Sequence, residues 1–423
     1  MRKIPAILGL AALAAIGFGG YAWHLDGRGA MDEGDVDGPL QLAGTPAEQG
    51  KYLATAANCV ACHTAPGGAE YAGGLPFRLP FGTIYSSNLT PDADTGIGSW
   101  SDDEFLRAVR SGGGGGGRHL YPAHPYATYA GMARNDVLAI RAYLASLKPV
   151  PNKVPAANLR FPYSQRWLLP LWNAMFLDGR RFRSRPDHDA AWNRGAYLAT
   201  SLGHCGECHT PRNAAYALQN GRALAGAVTQ GWKAYDITAG ASGIGGWTRA
   251  DLDAYLENGH AAGHGAAAGP MKEVVAYSTS QLTADDRAAL VSYLLTGATA
   301  AATAPAPVAT DSAGGTTLSA GRGAKLYAGT CAGCHVLGDR AAGADYSNLA
   351  GARTVRDPEG TNVLRILATG SPHGLGARVG MPAFSQGYSD TERAALANYV
   401  LGVWGHIPPT LTPNDAMRAR LAD

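Results

Sequence analysis

Charged residues are scarce in this 423-residue chain, making up only 16% of it, and the formal net charge is +2. Such a balance argues against nucleic acid or a strongly acidic protein as the main partner, because both attract an excess of lysine and arginine. Cysteine is scarcer still, with six residues in all. No Ser-His-Asp set, paired carboxylates or nucleotide fingerprint is visible either, so the sequence gives no sign of a catalytic centre of its own.

All six cysteines fall in three copies of one pentapeptide, Cys-x-x-Cys-His. Two thiols one helical turn apart can bond to the two vinyl groups of one haem, and the adjacent histidine can bind its iron as the proximal ligand. Zinc sites and thiol redox centres also use Cys-x-x-Cys, but three copies with no cysteine left over favour c-type haem attachment. The sequence therefore predicts three covalently bound c-type haems, held by Cys59, Cys62, Cys205, Cys208, Cys331 and Cys334, with His63, His209 and His335 as iron ligands.

Each motif lies in a repeat of about 100 residues, which is the size of a small domain. A repeat opens with a short helical pattern that carries a glycine, and it closes with an amphipathic helix that carries a tyrosine. A glycine would let the closing helix approach the opening helix closely. This pairing resembles the crossing of the N- and C-terminal helices in class I cytochromes c. The glycines are Gly50, Gly195 and Gly323, the tyrosines are Tyr143, Tyr293 and Tyr399, and the closing helices are predicted over 136–147, 284–295 and 390–404.

The first two repeats share a further segment, Tyr85 to Trp100 and Tyr235 to Trp247. The tryptophans lie 41 and 42 positions after the first cysteine of their motifs, which indicates a duplication. We expect the glycines of these segments to form tight turns near the haem edge. Core packing and haem contact explain the tryptophans equally well.

The connections differ in composition. The segment 151–188 holds several prolines together with Trp167, Trp172 and Phe176, so we expect it to pack against a domain or a partner subunit. The segment 298–316 is nearly all small residues and proline, which predicts a flexible linker and a third domain that can move. The predicted fold is mainly α, with an N-terminal transmembrane helix and three tandem class I cytochrome c-like domains; the divisions are 1–30 (membrane anchor or signal segment), 45–150 (domain 1), 151–188 (packed linker), 189–297 (domain 2), 298–316 (flexible linker), 317–405 (domain 3) and 406–423 (tail).

The chain begins Met1-Arg2-Lys3 and continues with an uncharged run from Ile4 to Trp23. Twenty helical residues span about 30 Å, the thickness of the bilayer core. A cleaved secretory signal is the alternative, although the run is long for one and Gly20 and Ala22 make a poor cleavage site. We favour a retained anchor in the inner membrane, with the haem domains facing the periplasm.

The sixth iron ligands are predicted from spacing. Met381 lies 46 residues after His335, and Met271 lies 62 after His209. The first repeat places His124 at the corresponding distance, 61 residues after His63, whereas Met132 lies 69 and His119 lies 56 residues after it. We favour His124 over Met132 or an open site. A second imidazole would make the first haem the low-potential centre, because a methionine thioether favours ferrous iron.

Long stretches of the chain resemble one known family. They are GKYLATAANCVACHTAPGG, GLPFRLPFGTIYSSNLTPDADTGIGSWSDDEF, RGAYLATSLGHCGECHTPRN, AAGPMKEVV and GMPAFSQGYSDTERAALANYV. They are similar to the three-haem cytochrome c subunits of membrane-bound periplasmic dehydrogenases that oxidise alcohol, aldehyde, gluconate, sorbitol or fructose. The resemblance implies Met271 and Met381 as axial ligands, a separate catalytic dehydrogenase subunit (molybdopterin, quinoprotein or flavoprotein) as electron donor, and ubiquinone or a terminal oxidase as acceptor. Many members have methionine where this chain has His124.

The sequence thus predicts a non-catalytic electron-transfer subunit at the membrane. Two alternatives stay open: a haem enzyme with an open iron site in domain 1, and a stand-alone cytochrome that shuttles electrons between other complexes.

Overall fold

The computed structural model describes residues 40, 42–297, 321–335, 347–371 and 380–422. Its secondary structure is mainly α-helical, which confirms the predicted class, and it divides into two compact units. The first unit comprises the described residues up to 207 together with 212–219, and the second comprises 208–211 and the described residues from 220 onward. The chain passes from one unit to the other within the second Cys-x-x-Cys-His segment.

The first unit contains the first repeat, the following linker and the opening helix of the second repeat. Its helices are α1 (Pro46–Ala56), α2 (Cys59–Cys62), α3 (Asp102–Ser111), α4 (Tyr126–Tyr129), α5 (Arg134–Ala145), α6 (Leu169–Phe176) and α7 (Ala190–Tyr197), and α7 continues as a π-helix over Leu198–Leu202. An antiparallel sheet is formed by β1 (Pro76–Leu79), β2 (Gly82–Tyr85) and β3 (Asn158–Leu159), in which Phe77 faces Ile84 and Thr83 faces Asn158. The short helix α8 (Gly206–His209) spans the boundary between the units.

The second unit contains the rest of the second repeat and the third. Its helices are α9 (Arg249–Asn258), α10 (Pro270–Tyr277), α11 (Ala284–Thr296), α12 (Arg322–Leu326), α13 (Thr361–Thr369), α14 (Asp390–Gly405) and α15 (Pro413–Leu421), and α12 continues as a π-helix over Tyr327–Cys331. Two hairpins pair β4 (Ala227–Thr229) with β5 (Trp232–Ala234) and β6 (His260–Ala261) with β7 (Gly265–Ala266).

Capping boxes define where several helices begin. Before α1, the Thr45 hydroxyl accepts the Glu48 backbone N–H while the Glu48 carboxylate accepts the Thr45 N–H. The same reciprocal pair, Ser389 and Glu392, opens α14. Each box satisfies backbone donors that a helix N-terminus leaves without an intrahelical acceptor.

The predicted close crossing of opening and closing helices is present in the first and third repeats. A Cβ on Gly50 would lie 1.8 Å from the Ala139 carbonyl oxygen on α5, and one on Gly323 would lie 2.2 Å from the Ala395 carbonyl oxygen on α14. Only glycine fits at either position. In the second repeat the opening helix α7 belongs to the first unit, where the Tyr197 hydroxyl donates to the buried Asp136 carboxylate at 2.6 Å.

Part of the segment 151–188 packs within the first unit. Residues 158–159 extend the sheet, the Trp172 indole N–H donates to the Ala215 carbonyl oxygen at 2.9 Å, and the buried Asn173 side chain accepts from the Tyr126 hydroxyl at 2.8 Å. Phe161 and Trp167 are nevertheless 81% and 73% exposed. The segment therefore has one packed face and an exposed aromatic face.

The third repeat contacts the second, whereas the linker composition led us to expect a third domain that can move; that mobility stays a prediction. The Lys233 ammonium lies 2.8 Å from the Asp357 carboxylate, and the Asn362 side chain exchanges two hydrogen bonds of 2.9 Å with the Lys233 backbone. The expectation rested on the linker 298–316, whose composition carries no information about what the following domain contacts. The linker itself lies outside the described residues.

The predicted anchor, 1–30, also lies outside the described residues. Among the helices in the described part of the chain, none combines the length and the apolar character needed to span a bilayer.

Candidate haem sites

The first Cys-x-x-Cys-His segment is a single helical turn. Asn58 adopts a left-handed conformation with φ 52°, which ends the run of α1 and starts α2 at Cys59. The His63 N–H then donates to the Cys59 carbonyl oxygen at 3.0 Å. Burial raises the pKa of the Cys59 thiol to about 12, with the neighbouring Cys62 adding to the effect. The first cysteine is therefore a neutral thiol in this setting.

All three motif histidines use the same ring nitrogen in the same way. Nδ1 lies 2.7 Å from the Ser87 carbonyl oxygen in His63, 2.6 Å from the Tyr235 carbonyl oxygen in His209 and 2.6 Å from the Ser347 carbonyl oxygen in His335. A carbonyl oxygen can only accept, so each Nδ1 carries the proton and each Nε2 keeps its lone pair. An outer hydrogen bond of this kind orients an imidazole toward a metal and raises its basicity.

Burial favours the neutral imidazole in the first and second motifs. It lowers the pKa of His63 and of His209, against the opposing effect of the carbonyl partner. The donor set therefore fits c-type haem: two thiols on one turn, then a neutral histidine with its free nitrogen fixed in direction.

His124 lies near the histidine of the first motif. Burial, together with the nearby His63 and His204 imidazoles, lowers its pKa to about 3. Its ring lies 5.6 Å from that of Tyr129, and Tyr129 in turn lies 5.4 Å from the ring of His204. The structure thus brings His124 and His63 together, and a neutral His124 is a competent iron ligand.

The two other candidates of the first repeat occupy different settings. Met132 is 1% exposed, and its carbonyl oxygen accepts from the buried Arg110 guanidinium at 3.0 Å. The backbone of His119 pairs with that of Gly113 in an isolated bridge, and its carbonyl oxygen accepts from Arg166 at 2.5 Å. Both contacts are made by backbone atoms. The interaction with His63 is described for His124, and the choice of sixth ligand stays a prediction.

Met271 lies in the first turn of α10. It follows Gly269, whose φ of 54° places the chain against the Trp232 ring: a Cβ on this glycine would lie 2.5 Å from the ring. The tight turn Gly269-Pro270 therefore fixes the backbone position from which the Met271 side chain extends. Met271 and His209 belong to the same unit.

Met381 is held by an antiparallel bridge to Ser371, with both N–H to carbonyl distances at 2.9 Å. Its side chain packs against the apolar cluster that contains Cys331, Tyr327 and Leu367. The structure thus brings the first cysteine of the third motif and the predicted sixth ligand into one cluster. Residues 336–346 and 372–379, on either side of this site in the chain, lie outside the described residues.

The carbonyl partners of the histidines were not predicted, yet the sequence holds a signal for two of them. In the shared segments, Ser87 precedes Asn88 and Tyr235 precedes Asp236. The Asn88 and Asp236 side chains accept, at 2.6–2.9 Å, from the N–H and hydroxyl of the threonine two residues on. In both repeats this turn therefore directs the backbone carbonyl of the preceding residue, Ser87 or Tyr235, toward the motif histidine. Ser347 in the third repeat has no such signature.

The glycines of the shared segments do form tight turns. A Cβ on Gly96 would lie 2.2 Å from the Thr90 carbonyl oxygen, and one on Gly243 would lie 2.0 Å from the Thr238 carbonyl oxygen. The Trp247 ring stacks on His264 at 3.9 Å, so its packing partner is a side chain.

Comparisons with known proteins agree with this chemistry. The family model for cytochrome c matches residues 47–148 and 320–404. The chain is 41% identical over 360 residues to a subunit of nicotinate dehydrogenase from Pseudomonas putida, covering 84% of this chain but only 30% of that protein. It is 36% identical over 399 residues to the gluconate 2-dehydrogenase cytochrome c subunit of Pantoea cypripedii, covering 88% and 89% of the two chains. The fructose dehydrogenase cytochrome subunit of Gluconobacter japonicus is also 36% identical over 399 residues, covering 88% of this chain and 82% of that one.

The helical fold and the repeated thiol and imidazole geometry define a c-type cytochrome, and the family implies covalently bound c-type haem. Within that class, the chain belongs to the family of cytochrome c subunits of gluconate, alcohol and fructose dehydrogenases, as its sequence indicated.

Proposed function

We propose that this chain carries electrons through three c-type haems from a separate dehydrogenase subunit to ubiquinone or a terminal oxidase. The observation that carries the proposal is the hydrogen bond from Nδ1 to a backbone carbonyl in His63, His209 and His335, which leaves the same nitrogen of each ring for iron. The relatives support the partner, since they are named as cytochrome subunits of dehydrogenases. The chain is then an electron-transfer subunit and not a catalytic one.

The sixth ligands in this proposal are His124, Met271 and Met381. Bound haem supplies reversible one-electron chemistry. The protein sets each potential through the ligand it offers, because thioether sulfur favours the ferrous state and imidazole favours the ferric state. His124 therefore makes the first site the lowest in potential.

For location, we propose the inner membrane with the haem domains in the periplasm, with residues 1–30 as a retained anchor. The support is the uncharged run from Ile4 to Trp23 behind Arg2 and Lys3. N-terminal sequencing of the protein extracted from membranes should begin at residue 1 or 2. A start near Trp23 would replace the anchor by a cleaved signal.

The test of the function is to purify the native complex from membranes and follow the haem absorption on adding gluconate, fructose, ethanol, an aldehyde or nicotinate. We expect a large catalytic subunit to co-purify and one substrate to reduce the haems. A cytochrome that arrives alone and is reduced by none of them would contradict the dedicated-subunit function and favour a shuttle. A high-spin ferric band in the same spectra would indicate an open iron site in domain 1 and so a haem enzyme.

A further inference from the structure

Arg353, in the third repeat, reaches into the loop of the second repeat that carries the partner of His209. Its Nη1 donates to the Asp236 carbonyl oxygen at 2.7 Å and to the Gly243 carbonyl oxygen at 3.3 Å, and its Nη2 donates to the Ser242 carbonyl oxygen. The guanidinium carbon also lies 5.2 Å from the centre of the Tyr235 ring. One side chain thus forms hydrogen bonds near both ends of the loop 235–243.

The same loop holds the proximal histidine of the second haem motif, because the Tyr235 carbonyl oxygen lies 2.6 Å from His209 Nδ1. Arg353 therefore contacts the residue, Tyr235, that binds the predicted iron ligand His209. All of these residues belong to the second unit.

The nearby carboxylates of Asp236 and Asp357 have other hydrogen-bond partners and do not form a direct ion pair with Arg353. The Asp236 carboxylate accepts from the hydroxyls of Thr238 and Ser242, at 2.6 and 2.7 Å. The Asp357 carboxylate lies 2.8 Å from the Lys233 ammonium. Arg353 itself donates to backbone carbonyl oxygens, which are neutral. Its positive charge thus acts on the loop from a half-buried position, where salt screens it less than at the surface.

The backbone that leads to Arg353 is also held in place. We call this segment, Ser347–Arg353, the strap. At one end of the strap, the Ser347 carbonyl oxygen accepts from His335 Nδ1 of the third motif. In its middle, a Cβ on Gly351 (φ 81°) would lie 2.0 Å from the Gly263 carbonyl oxygen of the second repeat, so only glycine allows this approach. Seven residues therefore run from the partner of one proximal histidine to the loop that holds another.

We infer that Arg353 is a positioning and tuning residue for the second haem, raising its midpoint potential from the neighbouring repeat. Ferric haem carries one more positive charge than ferrous haem, so a fixed cation nearby disfavours the oxidised state. The inference rests on the proposed function, because it requires haem at the second motif. It adds a control of that haem by the third repeat.

The experiment is a redox titration of the intact, fully loaded protein with single substitutions. We expect Arg353→Gln to lower one midpoint potential and leave two in place, with a shift of about tenfold in the equilibrium constant, or about 59 mV for one electron. Arg353→Lys keeps the charge and should keep most of the potential. Asp357→Asn removes a buried negative charge near Tyr235 and should shift the same potential upward.

Asn362→Ala is the matched control. It removes two hydrogen bonds from the same contact between repeats without changing any charge, and we expect all three potentials to stay in place. If Arg353→Gln does not fold, the upward shift in Asp357→Asn still tests the electrostatic effect.

The outcomes separate this inference from the proposed function. An intact mass without haem on Cys205 and Cys208 would overturn both. A fully loaded chain in which Arg353→Gln moves no potential would overturn the role of Arg353 alone. Where that variant does not fold, an Asp357→Asn variant that moves no potential would overturn it. Equal shifts in the glutamine and lysine variants would also overturn it, since charge would then not be the cause.

Discussion

At the scale of single residues, His124 is the predicted sixth ligand that sets the first haem apart from the other two. Its interaction with His63 leads us to expect that His124→Met raises one midpoint potential and leaves the other two unchanged, because a thioether replaces an imidazole. A spectroelectrochemical titration measures this directly.

Met132→Leu is the control for that substitution. Its side chain is fully buried, and the exchange conserves volume, so we expect a loss of less than about 1.5 kcal/mol in stability and unchanged potentials. If the leucine variant moved a potential and His124→Met did not, Met132 would be the ligand and His124 a neighbour.

Glu392 gives the third repeat a pH-dependent contribution to stability. The Ser389 hydroxyl, then Arg322, then the Ser389 backbone N–H lower the pKa of this carboxyl from its ordinary value of 4.5 to about 2. Because the folded-state pKa is the lower one, the stabilisation is fully present above about pH 4.5 and is lost as the pH falls through 2.

We therefore expect Glu392→Gln to lower the Tm at pH 7 and to match the wild type near pH 2 in thermal unfolding monitored by circular dichroism. Ser389→Ala removes the hydroxyl that lowers the pKa of Glu392 most. In that background, the Tm values with and without Glu392→Gln should become equal at a higher pH. A Tm difference that stays constant from pH 7 to pH 2 would contradict this account.

Residue roles were predictable where chemistry demands a rare residue type. Cysteine and histidine at fixed spacing predict the attachment sites, and spacing predicts the candidate sixth ligands. The partners of the histidines were not predictable in the same way, because every residue has a backbone carbonyl and only the turn decides which one faces the ring. Arg353 was missed for a related reason: it lies 144 positions after His209, and no sequence pattern connects the two.

At the scale of helices and strands, the close crossings at Gly50 and Gly323 depend on the absence of a side chain. We expect Gly323→Ala to destabilise the third repeat by about 1–3 kcal/mol, since the added Cβ would overlap the Ala395 carbonyl oxygen and push α14 away. Denaturant unfolding of the haem-loaded protein measures the loss.

Gly329→Ala is the matched control in the adjoining π-helix. A Cβ there would meet nothing within 4 Å, so the substitution should be neutral or stabilise by about 0.5–1 kcal/mol, through the reduced freedom of the unfolded chain. Equal losses in both variants would show that the close crossing at Gly323 is not the cause of the destabilisation.

The closing helices were predicted nearly to the residue, as α11 at Ala284–Thr296 and α14 at Asp390–Gly405 show. Their period of 3.6 extends over three turns or more, which is a strong signal. The strands were not predicted: β4 to β7 have two or three residues each, too few for an alternating pattern to appear. Their pairing depends on tight turns and on tertiary contacts, which the sequence does not display.

At the scale of the whole molecule, the proposed count of three haems has a direct test. We expect the intact mass of the mature protein to correspond to three covalent haems, because each motif supplies two thiols on one helical turn. Replacing Cys331 and Cys334 by alanine should remove one haem and leave two.

The wild-type and alanine variants should be compared in the same mass spectra after denaturation, so that only covalent haem is counted. A wild-type chain with two haems, unchanged by the double substitution, would restrict attachment to the first and second motifs and contradict the count.

The strap from Ser347 to Arg353 limits how this chain can be recombined. Tandem repeats joined by a linker such as 298–316 suggest a place to cut and exchange one repeat for that of another cytochrome. A chimaera joined there would lose Arg353 and with it the donor to the Asp236 and Ser242 carbonyl oxygens. The second and third repeats therefore have to be inherited, and engineered, as a pair.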